Sequence, residues 1–350
     1  MSRAQAEGSR VVPGVASAVR SAVPLSRRQV LHAAAVAGVA APLAVSGIRR
    51  AHAAPAALKL TWNANAICTV SVPVAAQRGH FEKHGLKVEL INFGGSTDQL
   101  LEAIATGKAD AGVGMALRWL KPLEQGFDVK LTAGIHGGCM RLLGARSAGI
   151  TDLKSLRGKT VAVSDMAAPD KNFFSILLQQ HGVDPIKEVE WRQYPADLLG
   201  LAVQKGEAQA LAAGDPIAWL TQRKFDLVEV ATNLFGEYQH RSCCVLGVRG
   251  SLVKQDRATA TALTRALLEA GAWTADHPDE AAAVFSQYST ASVADLAAML
   301  RSHTHHHHPA GPDFKGEIAR YADELKLVQV IKPSTNTEKF ADRVYADVLS

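Results

Sequence analysis

Five histidines crowd into six positions, His303, His305, His306, His307 and His308, and form the densest chemical signal in the chain. Neutral imidazole is the commonest protein ligand for zinc, nickel and copper. The run therefore predicts affinity for a divalent metal, either as a defined site or as the incidental affinity of an exposed loop between two helices. Two carboxylates stand directly after short apolar runs, in Ser164-Asp165 and in Gly214-Asp215-Pro216. Acids in that position either receive an amine or amidine or cap the helix that follows. Gly94-Gly95-Ser96, with Gln99 three residues on, is a capping-box pattern that starts a helix at Ser96. Its glycines let backbone approach a ligand, and the N–H groups of the helix start favour an anionic group, although plain capping accounts for the same residues. His136-Gly137-Gly138 again offers open backbone, with His136 as an anion donor or as a hinge or surface group. Gly114-Met115-Ala116 follows another apolar run and reads as a wall of the same site, with Trp62 and Asn65 beside it.

Such residues need elements to hold them, and the chain supplies alternating strands and helices. Strands are predicted at 58–62, 86–92, 109–113, 129–135 and 140–145, with helices reaching Phe81 and spanning 97–106. A second run begins after Gly158, with strands at 159–164, 188–192, 208–213 and 227–231 and helices at 172–181, 198–205 and 217–223. A strand at 243–248 leads back, and beyond Lys254 the pattern is helical. This β-α-β order predicts mostly parallel sheets with helices on both faces. The expected fold class is α/β with two lobes: 54–150 plus about 243–350 as lobe 1 with C-terminal helices, and 151–242 as lobe 2. Ligands bind beyond the carboxyl ends of strands in open α/β sheets, which puts the motifs above in a cleft between the lobes. Trp119 and Trp219 fall on helices and are expected in the core.

The charge is uneven. Of 38 Lys+Arg and 33 Asp+Glu, residues 1–53 hold seven arginines and one acid, so the formal +5 belongs to this segment. Residues 54–350 are left nearly neutral, which removes the case for a nucleic-acid partner. Ser26-Arg27-Arg28, an apolar run from His32 to Ile48, Arg49-Arg50 and Ala51-His52-Ala53 have the three parts of an export signal. The paired arginines resemble a twin-arginine leader, which implies the twin-arginine export machinery as a passing partner and a periplasmic protein starting near Ala54; the first cysteine, Cys68, comes too late for a lipidated N-terminus. Four cysteines are too few for a disulfide scaffold; they either pair in an oxidising compartment or stay as buried thiols in strands.

In order along the chain, Ala75–Leu86, Gly94-Gly95-Ser96, Ala105–Gly112 and Asp152–Val163 resemble four segments of the periplasmic substrate-binding proteins for nitrate, sulfonate and taurine, relatives of the thiamine-pyrimidine synthases. The resemblance covers about residues 58–250. It implies a two-lobed periplasmic-binding-protein fold (type II) that closes on a small anionic or zwitterionic solute and delivers it to the permease subunit of an ABC importer. It implies a monomer that is no enzyme and carries no cofactor. The residues expected at the ligand are Asn65, Gly95, Ser96, Met115, Ala116, His136, Gly137, Ser164, Asp165 and Asp215. Two alternatives stand beside it: a protein that binds or makes a thiamine-pyrimidine precursor, for which the adjacent Cys243-Cys244 is short of the enzymes' longer cysteine motif, and a metal or metal-chelate receptor built on the histidine run.

Overall fold

The structure, a computed structural model, describes residues 57–93, 97–304 and 306–350. The leader expected at 1–53, and Gly94, Gly95, Ser96 and His305, lie outside the described residues.

Among the described residues ten strands form two five-stranded sheets. They are β1 (Leu58–Trp62), β2 (Val88–Asn92), β3 (Ala111–Met115), β4 (Val129–His136), β5 (Met140–Gly144), β6 (Lys159–Val163), β7 (Val189–Gln193), β8 (Ala210–Gly214), β9 (Val228–Thr232) and β10 (Cys244–Arg249). The first sheet runs β2-β1-β3-β10-β4 and the second β7-β6-β8-β5-β9. In each, β-α-β crossovers make the neighbours parallel, and one strand arriving from the other sheet, β10 or β5, is antiparallel to both its neighbours. The helices are α1 (Ser71–Gln77), α2 (His80–Lys83), α3 (Thr97–Ala105), α4 (Ala116–Glu124), α5 (Pro169–Gln180), α6 (Leu199–Gln204), α7 (Ile217–Lys224), α8 (Gly250–Gln255), α9 (Arg257–Asp276), α10 (Pro278–Phe285), α11 (Val293–Ser302), α12 (Gly311–Leu327) and α13 (Thr337–Val344).

Local chemistry explains where the elements start. Asp256, Ser292 and Asn336 accept the N–H of the third residue on, at 3.0, 3.0 and 2.9 Å, and so open α9, α11 and α13. Pro169, whose missing N–H costs nothing in a first turn, opens α5. The small residues of β3 answer a packing need. A Cβ on Gly114 would sit 2.1 Å from Cζ2 of the fully buried Trp119, so glycine is what lets α4 lie against its own strand.

One expected boundary moves. β5 is placed with lobe 1 by the reading 54–150, yet it pairs with β8 and β9 in the second sheet, Met140 opposite Gly214 and Arg141 opposite Thr232. No helix separates β4 from β5, and that short link through Gly137-Gly138-Cys139 carries the chain from one sheet to the other. Residues 233–243 carry it back to β10. Two crossings therefore join the sheets. Trp219 also departs from expectation: it is half-buried, with the guanidinium groups of Arg141 and Arg223 5.3 and 4.2 Å from its ring centroid, while Trp119 is in the core. Among the described residues no helix is long and apolar enough to cross a membrane.

Candidate functional site

The carboxyl ends of strands from both sheets surround a cavity of about 350 Å³. From the first sheet come Asn63, Asn65 and Ala66 after β1, then Met115 at the end of β3 and Arg118 in the first turn of α4. From the second come Met140, Ser164, Asp165 and the start of α5 after β6, Ala196 after β7, and Gly214, Asp215 and Ile217 after β8. The loop after β1 is held rigid from within. Asn63 Oδ1 accepts the Asn65 N–H at 2.9 Å, and the Asn63 carbonyl accepts the Thr69 hydroxyl at 2.8 Å.

Arg118 is the cation of the cavity wall. It is 9% exposed, and its guanidinium joins the two lobes. Nε donates to Asp98 on α3 at 2.7 Å, with Nη2 on the same carboxylate; Nη1 donates across the cleft to Asp165 at 3.1 Å, with Nη2 again alongside. Partial burial pushes the Asp165 carboxyl up, but the Ala167 N–H and the Arg118 guanidinium prevail and hold it below the ordinary range.

Asp215 is gripped harder. Its side chain is fully buried, and Arg141 on β5 donates to it through Nε and Nη2 at 3.1 Å. The Trp219 N–H donates at 3.0 Å, and His303 Nε2 lies 2.9 Å away. Arg141 also pairs with Glu229 on β9. Burial alone would raise the Asp215 pKa; His303 and Arg141 together lower it instead. Asp215 thus ties the second sheet to the end of α11.

Asp170, in the first turn of α5, is of another kind. It is 6% exposed, and its carboxylate accepts nearby main-chain N–H groups, that of Lys171 at 2.8 Å. Desolvation raises its pKa to about 7.

Of the residues expected at the ligand, Asn65, Met115, Ser164, Asp165 and Asp215 line this one cavity. Ala116, His136 and Gly137 do not. Ala116 is packed into the start of α4, and His136 is buried edge-on against the His303 ring, 5.3 Å between centroids. Gly137 gives clearance to Thr304, not to a ligand: a Cβ there would stand 2.2 Å from the Thr304 carbonyl oxygen, and the Thr304 hydroxyl accepts the Gly138 N–H at 2.6 Å. Trp62 is buried against Tyr288 outside the cavity. Arg118, Asp170, Asn63 and Met140 were not legible as site residues. Arg118 and Asp170 sit within helices, where a charged residue ordinarily means a solvated face.

The described histidines of the run are mostly packed against the fold. His303 is buried on Asp215, His307 pairs with Glu317 on α12, and His308 packs on Gly271 of α9. Desolvation, helped by its two histidine neighbours, lowers the His308 pKa to about 4. Pro309 accepts the Gly134 N–H of β4 at 2.9 Å, so the segment lies along the first sheet. Only His306 of the described four is exposed, and among the described residues no group of three His, Cys, Asp or Glu side chains is placed to hold a metal. All four cysteines are buried thiols outside any disulfide.

Two α/β lobes, two crossings and a cavity at facing strand ends define the periplasmic-binding-protein fold, and solved structures agree. The alkanesulfonate-binding protein SsuA of Xanthomonas axonopodis pv. citri, bound to MOPS, is similar at 17% identity over 84% of this chain and 99% of that one, with a TM-score of 0.69. The nitrate-binding protein NrtA of Synechocystis PCC 6803 is similar at 15% identity over 84% and 86%, with a TM-score of 0.68. The desulfurization enzyme DSZB has the same fold at 15% identity over 83% and 97%, with a TM-score of 0.59. At such identities the likeness is one of fold. No curated protein sequence matches the chain. The family model described as NMT1/THI5 like matches residues 69–281, more than half of the chain, and the chain belongs to that family.

Proposed function

We propose that this protein is the solute-binding component of an ABC importer. It takes one small anionic or zwitterionic solute, of the sulfonate, taurine or nitrate type, into the cavity between its lobes. The observation that carries this reading is the cavity itself: about 350 Å³ at the carboxyl ends of strands from two sheets, with charged groups of both signs among its walls. Two crossing segments, 137–139 and 233–243, make a hinge, and closure over solute is the signal a permease subunit would read. Arg118 and Asp165, on opposite lobes, would meet only in the closed form. The solute-binding neighbours support the reading. The first 53 residues would act as a twin-arginine leader, giving a monomeric periplasmic protein without a cofactor.

Thermal melting against a panel of sulfonates, amino-sulfonates, nitrate and carboxylates tests this. A solute at about 100 times its dissociation constant adds about 2.7 kcal/mol, a shift of several degrees. A panel in which nothing shifts the melting would defeat the solute class.

A further inference from the structure

The carboxylates of the cavity are not equivalent, and their difference says which end of a solute is read. Asp165 is spent on Arg118 and Asp215 on Arg141, His303 and the Trp219 N–H. The two guanidinium groups are likewise spent. Arg118 is held by Asp98 and Asp165, and Arg141 by Asp215 and Glu229. Among the described residues Arg118 is the one cation lining the cavity, so a bare anion entering it finds that cation already forked onto two carboxylates and must displace Asp165 to reach it.

Asp170 has no such partner. It lines the cavity, more than nine-tenths buried, and among the described residues no cation lies within ion-pair distance of it. The adjacent Lys171 does not serve, since its ammonium lies toward the Trp191 ring, 5.8 Å from the centroid. A carboxylate this buried and left without a cation is costly to a protein unless something else supplies the donor.

We propose that the solute supplies it: within the anionic or zwitterionic class proposed above, the site selects a zwitterion whose nitrogen cation or N–H donor, such as a primary amine or amidine, is read by Asp170, over a simple inorganic anion such as nitrate. The inference rests on the reading of this cavity as the solute site. Asn63, Asn65 and Ser164 are placed to bond the polar remainder of the solute, and Met115, Met140 and Ile217 to cover its carbon body. The charged and titratable groups around Asp170 are Asp165 in the loop after β6, Arg118 from α4, Asp215 after β8 and the Cys139 thiol of the hinge. Of these, burial leaves Asp170 as the carboxyl that titrates near neutrality.

The test is the melting of wild type and Asp170→Asn with four compounds at equal ionic strength: 2-aminoethanesulfonate, acetamidinium, ethanesulfonate and nitrate. The amine and the amidine are expected to stabilise wild type at pH 8, with apparent affinity falling about tenfold per pH unit below pH 7 as Asp170 takes up its proton. Asp170→Asn, of nearly the same shape, is expected to lose at least tenfold in affinity for both and to flatten the pH profile. Stabilisation by ethanesulfonate or nitrate but not by the two nitrogen compounds would overturn the inference and leave the receptor reading standing. So would nitrogen compounds that bind Asp170→Asn as well as wild type. If none of the four shifts wild type, the receptor reading and the inference fall together.

Discussion

Asp215→Asn isolates the tie between the second sheet and the end of α11. The carboxylate is fully buried, accepts three contacts from Arg141 at 3.1 Å and one from the Trp219 N–H at 3.0 Å, and faces His303 at 2.9 Å. The amide keeps the shape but leaves Arg141 with Glu229 as its only carboxylate. Removing one partner of a buried pair costs about 3–5 kcal/mol, and the surviving Glu229 puts this case near the lower end, about 3 kcal/mol. For a chain of this size that corresponds to a fall of about 6 °C in melting temperature. The pH dependence has a definite sign. Asp215 has a folded pKa below its unfolded value, so its contribution is full above about pH 4 and is lost as pH falls further, through the folded pKa. Calorimetric melts of both proteins at pH 7 and pH 3 measure the gap, which should be widest at pH 7. Asp215→Asn with Arg141→Met should cost less than the sum of the single changes. A loss under about 1 kcal/mol at pH 7, or strictly additive single effects, would refute the claim that Asp215 anchors this junction.

Asp170→Asn is expected to act in the opposite direction on stability. The folded pKa of about 7 lies above the unfolded value, so what Asp170 contributes is present below about pH 4 and lost as pH rises through 7. The variant should match wild type at pH 4 and exceed it by up to about 4 kcal/mol at pH 8, as read by denaturant unfolding. His308, held near pKa 4 by burial, supports the fold above about pH 6.5 and loses that support as pH falls through 4. His308→Leu should remove about 3 kcal/mol of the wild-type acid sensitivity over that interval in the same measurement. Gly137→Ala places a methyl 2.2 Å from the Thr304 carbonyl and should cost about 1–3 kcal/mol in urea unfolding, because main chain must yield. Arg118→Met should weaken solute-driven closure and reduce the dependence of affinity on salt, as followed by titration calorimetry.

Much of the fold was legible because its signals are local. The five residues of β1 were read with their observed bounds, and the helical pattern beyond Lys254 holds in α9 to α13. β5 was read as a strand but assigned to the wrong lobe, since hydrophobic pattern gives a strand its conformation and not its neighbours. Ser164-Asp165 and Gly214-Asp215 could be found because strand ends announce themselves. Arg118 and Asp170 could not, because their meaning depends on what crosses the cleft to meet them or fails to. The histidine run misled for a related reason. A polar segment between two helices reads as exposed, yet Gly134, Gly137 and Gly271 make room for it against β4, the hinge and α9. Glycine clearance on a distant element leaves no mark in the histidine segment itself.

Closure over a solute changes the separation of the lobes, which can be measured directly. Lys108, exposed near the first sheet, and Lys187, exposed near the second, can be replaced by cysteine and spin-labelled while the four native thiols stay buried. Electron-resonance distance measurement, without solute and saturated with the compound that gives the largest melting shift, should give a distribution that narrows and moves to a new mean distance on binding. A distribution unchanged at saturation would show that the lobes do not close on solute.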